Sequence, residues 1–104
     1  MTDKQALYKV KFVQADKLYE LYVRNVYQSD VQGFVVLENF VFESGGLLVD
    51  PAEDKLRAEF EGVSRSLVPY YNVHRIDEVA KRGVSKLHDI KDGKVMPFSP
   101  MPNA

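Results

Sequence analysis

Residues Leu67 to Val79 read L-V-P-Y-Y-N-V-H-R-I-D-E-V: an apolar run closed by a proline, a polar-aromatic bend, and a second run. Pro69 fixes its own backbone and ends the first run, so Ser64–Pro69 is predicted to be a strand that stops there. The second run reads two ways. Val73, Ile76, Val79 and Ala80 fit one helix stripe, capped by Asn72 and stopped at Gly83, with Lys81 and Arg82 in its last turn. The same residues also fit a one-turn bend at Tyr70–Val73 followed by a strand from His74 to Val79. The chain beyond favours the strand, because Lys81-Arg82-Gly83 reads as a hairpin turn into a further short strand, Val84–Leu87.

The clearest helix signal lies just before this stretch. Asp50 occupies an N-cap position, Pro51 the first helical position, and Glu53 the third, where a capping box expects an acid. Ala52, Leu56, Phe60 and Val63 form one stripe that must pack on a sheet, and Gly62 ends the element. Pairs four apart, Glu53–Arg57, Lys55–Glu59 and Arg57–Glu61, bring opposite charges together on the solvent side. The expected helix covers about Pro51–Glu61.

Toward the N-terminus the pattern is that of strands. In Leu7–Val13, Tyr8, Val10 and Phe12 alternate with Lys9 and Lys11, which predicts a strand with one wet face. Gln14–Lys17 is short enough for a hairpin loop, so Leu18–Val26 pairs antiparallel with it. In that second strand Tyr19, Leu21 and Val23 share one side, and Glu20, Tyr22 and Arg24 the other. Ser29 is placed to cap a single helical turn that Gly33 ends in a left-handed conformation. Phe34–Glu43 reads as a strand buried on much of both faces, with Glu38-Asn39 marking a bend, a bulge or a turn. Gly45-Gly46 is a turn signal and Leu47–Val49 a short strand.

Together these segments predict an α+β chain that is mainly β: a small, strongly bent antiparallel sheet, or an SH3-like or Sm-like partial barrel, with one inserted helix. With 104 residues, 45% apolar and 28% charged, the chain has the size and composition of one ordinary globular domain. Residues 1–90 are expected to form it. Residues 91–104, with K-D-G-K as a turn and then M-P-F-S-P-M-P-N-A, are expected to be a flexible proline-rich tail.

Composition also bounds the chemistry. The chain has no cysteine, which excludes disulfides, thiolate metal sites and cysteine nucleophiles. No apolar run approaches the ~18 residues of a spanning helix, and the charged N-terminal segment does not resemble a signal peptide, so the expected location is the cytoplasm and no membrane partner is expected. Net charge is −1, giving no global field toward nucleic acid. Only Lys81–Lys94 is locally basic, through Lys81, Arg82, Lys86, Lys91 and Lys94.

The residue types for a His/carboxylate metal site are His74, Asp77, Glu78, His88 and Asp89, but they share no ligand spacing. Adjacent Asp77 and Glu78 face opposite ways on a strand and cannot share a proton. No nucleophile elbow, phosphate loop or zincin helix is present, so neither enzymatic activity nor a cofactor is expected. The residues singled out as a binding surface are Tyr70, Tyr71, His74 and Arg75, an aromatic and basic set at a bend. Tyr8, Phe12, Tyr19, Phe34, Phe40, Phe42 and Phe60 are read as core.

Three phrases resemble a known family: L-Y-E-L-Y-V-R-N-V-Y-Q-S-D-V-Q-G-F-V, V-D-P-A-E-D-K-L-R-A-E-F-E-G-V and R-I-D-E-V. They are similar to the proteobacterial domain-of-unknown-function family numbered 1820. That resemblance implies a small cytosolic bacterial protein and carries no catalytic residues. Two functions from different classes are expected. The first is a non-catalytic interaction module that binds a protein partner or itself through a strand edge. The second is an Sm-like RNA-binding module using the Tyr70–Arg75 bend and the Lys81–Lys94 stretch.

Overall fold

A computed structural model describes residues 6–42, 50–91 and 94–97. Its elements are β1 (Tyr8–Gln14), β2 (Lys17–Gln28), β3 (Phe34–Phe40), α1 (Pro51–Glu59), β4 (Arg65–Pro69), a 3-10 turn (Tyr70–Asn72), β5 (Val73–Glu78), β6 (Lys86–Lys91) and β7 (Lys94–Pro97). All strand pairs are antiparallel. The strand order is β4-β3-β2-β1-β5, and the β6–β7 hairpin joins through β2.

The sheet bends because β2 is long and changes partner. Its residues 17–23 pair with β1, while on the other side 17–20 pair with β6 and 23–28 with β3. A second constraint comes from Leu67–Val79. β4 and β5 lie at opposite ends of the five-strand order, which laid flat would separate them by roughly 19 Å. Only Tyr70–Asn72 joins them, and a 3-10 turn advances about 2 Å per residue. The two edges must therefore curl together at Pro69–Val73. Tyr70 N–H donates to the Gly33 carbonyl at 2.9 Å and pins that corner to the β2–β3 loop. The architecture is thus mainly β, a strongly bent antiparallel sheet with one inserted helix.

Helix α1 closes one side of the core. Asp50 caps it, its carboxylate accepting from Ala52 N at 2.9 Å and Glu53 N at 3.1 Å. Leu56 is fully buried, and the Phe60 ring stacks on Phe40 at 4.6 Å and meets Tyr19 edge-on at 6.4 Å. Phe12 stacks on Tyr19 at 4.9 Å, and Val10, Leu21, Val23, Leu37, Val68 and Leu87 complete the cluster. Val63, assigned to the helix stripe by spacing, lies beyond Gly62 (φ +80°) and is exposed.

Several expectations are corrected. The helix reading of Val73–Ala80 gives way to strand β5, because β1 offers it a ladder from Tyr8 to Phe12. β5 and the following strand do not form a hairpin. Residues 79–85 carry no regular structure, and the strand starts at Lys86 and pairs with β2. Lys94–Pro97, placed in the tail, forms β7 against β6. Ser29 does not start a helical turn; its hydroxyl accepts from Val31 N at 2.9 Å in a bend, although Gly33 is left-handed as its position requires (φ +88°).

β3 ends at Phe40, with Asn39 at φ +60° making the bend. Glu53 does not complete a capping box. Its buried carboxylate turns to Ser85 N at 3.1 Å and to Arg82 at 3.5 Å. Arg57 lies 3.6 Å from Asp54, a spacing of three rather than four. The turn signal at Gly45-Gly46, the strand at Leu47–Val49, and Asp92-Gly93 lie outside the described residues.

Candidate functional site: the β5 edge and its groove

The corner made by the 3-10 turn leaves an open groove of about 700 Å³ beside β5. Phe34, Val35, Val73 and Ile76 supply its apolar lining, Tyr70 stands at one side, and Ser29, Asp30 and Gln32 of the β2–β3 loop bring polar groups. Exposure is high for apolar side chains: Ile76 40%, Tyr70 63% and Tyr71 76%. The two tyrosine rings meet edge-to-face at 6.1 Å, which holds them as a pair on the surface.

The four residues singled out from sequence do not form one cluster. Tyr70 borders the groove and Tyr71 flanks it, while His74 is exposed on β5. Arg75 pairs across from Lys11, on the strand face opposite to Ile76, and its guanidinium reaches Asp77 at 2.9 Å. Ile76, Phe34 and the loop 28–33 complete the groove and were not apparent in the sequence. The one signal for Ile76 was an apolar residue amid His, Arg, Asp and Glu.

β5 pairs with β1 and, among the described residues, with no other strand. Val79 N–H donates to the Leu7 carbonyl at 2.8 Å, continuing the ladder past Glu78. In antiparallel pairing the direction of backbone groups alternates, so Asp77 and Arg75 also face β1. The N–H and C=O groups of Ile76 and Glu78 therefore point away from β1, along an edge unpaired among the described residues, while a register shift between Lys11 and Phe12 leaves His74 as the extra residue of a bulge.

The outer face of β1 and β2 carries a different arrangement. Glu20, only 8% exposed, lies 3.1 Å from His88 Nε2 and 3.5 Å from Lys9. Burial pushes its carboxyl upward, but the hydrogen bond with His88 and the charges of Lys11, Lys9 and His88 outweigh it and hold Glu20 below its ordinary value. Asp89 is also lowered, first by the Lys17 ammonium bonded to it at 2.6 Å. The candidate metal ligands are thereby divided: His88 and Asp89 are engaged on β2, and His74, Asp77 and Glu78 sit on β5. Among the described residues, no three His, Asp or Glu side chains converge as a metal site would need.

No helix among the described residues is long and apolar enough to cross a membrane. Neither a curated protein nor a solved structure matches the chain. A family model does match, over residues 6–101, which takes in every described residue from Ala6 to Pro97. The chain belongs to the family described as Domain of unknown function (DUF1820).

Proposed function

We propose that this protein is a non-catalytic interaction module that joins an extended strand of another protein, or of another copy of itself, to the free edge of β5. The single observation behind this reading is the edge: Ile76 and Glu78 with outward backbone groups, beside an apolar groove bordered by exposed Tyr70 and Ile76. Main-chain hydrogen bonds along such an edge supply affinity, and a neighbouring pocket supplies specificity. A composition without cysteine favours a reducing compartment, the cytoplasm, as its setting.

The test is Ile76→Pro. Proline there removes only an N–H that points away from β1, so the β1–β5 ladder survives while the edge is blocked. Light scattering and sedimentation of the full chain should show assembly that the substitution abolishes, with circular dichroism unchanged. Assembly that persists in Ile76→Pro overturns the reading, and a wild-type chain that stays monomeric removes self-pairing and leaves the edge to a strand of another protein.

RNA binding is the second reading, favoured by the exposed Tyr70–Tyr71 pair. Lys81, Lys86, Lys91 and Lys94 are also exposed, whereas Arg75 is engaged with Asp77 and Arg82 with Glu53. A salt-dependent shift of labelled RNA would favour it, and no shift at low salt removes it.

A further inference from the structure

We infer that two copies of this chain pair through β5 in one register, antiparallel about a two-fold axis at Ile76. The inference rests on the strand-edge reading and adds the occupant and the geometry. A two-fold antiparallel pairing is defined by the residue that opposes itself. Centred on Arg75, it sets two guanidinium groups face to face; centred on Asp77, two carboxylates. Directly opposed like charges are destabilising.

Centred on Ile76, no charged residue opposes its like. Arg75 lies opposite the partner's Asp77, Asp77 opposite the partner's Arg75, and His74 opposite the partner's Glu78. The backbone agrees with this choice. Ile76 and Glu78 carry the outward groups, so Ile76 with its twin is a hydrogen-bonded pair of about two inter-chain bonds, and each Glu78 turns its backbone groups toward the partner's strand beside His74.

The side chains agree too. Arg75 already reaches Asp77 at 2.9 Å within one strand, so the paired strands form a closed ring of two guanidinium groups and two carboxylates on one face. On the other face, Ile76 meets its twin at the groove, covering an apolar side chain that is 40% exposed in the single chain.

The absence of native cysteine makes this register directly readable. Ile76→Cys alone should form a disulfide-linked dimer under mild oxidation, because hydrogen-bonded pairs lie about 5.5 Å apart at Cα, within disulfide range. His74→Cys alone and Glu78→Cys alone should not, whereas an equimolar mixture of the two should cross-link. Arg75→Asp or Asp77→Arg alone should weaken the dimer about tenfold or more, and the double exchange should restore it.

Cross-linking of His74→Cys with itself, or none at position 76 while Ile76→Pro still abolishes assembly, overturns the register and leaves the strand-edge reading standing. Assembly indifferent to Ile76→Pro overturns both.

Discussion

Ala15 and Asp16 turn the first hairpin with φ of 53° and 60°, a geometry that two-residue hairpins demand and that alanine adopts at a cost. Ala15→Asn is therefore expected to raise stability by up to about 1 kcal/mol, read as a higher urea midpoint at unchanged slope. Glu53 is 4% exposed and accepts from the buried Ser85 N–H. Glu53→Ala leaves that donor unpaired and should cost about 1–3 kcal/mol, with Glu53→Gln costing less because it keeps an acceptor. Tyr19 donates to Glu59 at 3.1 Å, and its phenol is pushed up to about 12 by burial first and the Glu59 charge and hydrogen bond second. Its unfolded value is about 10. Between those values the native state holds a proton that the unfolded chain has released, so stability is lost as pH rises from about 10 to about 12. In paired denaturation curves across that window, Tyr19→Phe should lose stability less steeply than wild type.

The seven residues between β5 and β6 show why elements here cannot be judged one at a time. Gly83 passes so close to Tyr22 that an added Cβ would sit 2.6 Å from the phenol oxygen and 3.4 Å from Cζ. Gly83→Ala should cost about 1–3 kcal/mol by overpacking. Tyr22→Phe removes the nearer atom, so a double-mutant cycle should show most of that cost recovered. The crossing also explains why both sides of β2 are buried. Tyr22 and Glu20 lie opposite Tyr19, Leu21 and Val23, yet they are 6% and 8% exposed. Gly83 lies against Tyr22 and His88 against Glu20. No local pattern announces a segment that arrives more than sixty residues later.

At the scale of the whole molecule, the sheet order ranks its parts. β2 is flanked on both sides at Lys17–Glu20 and Val23, whereas among the described residues β4 and β5 each pair on one side only. Hydrogen exchange should be slowest for β2 amides and faster along β4 and β5. The Ile76 amide gives a sharper reading: fast in a dilute single chain, protected as concentration drives pairing. The sequence by itself determined the class, the helix start at its Asp50 cap, the first hairpin, and the break at Pro69, because caps, turns and alternation are written within a few residues. Only the tertiary structure decided whether Val73–Glu78 would be strand or helix. Its spacing satisfies both, and the deciding term is a ladder with β1, some sixty-five residues distant. The same holds for the site. The bend was legible as an exposed aromatic pair, but the groove needs Phe34, Tyr70 and Ile76 together, and only the curling of β4 toward β5 brings them there.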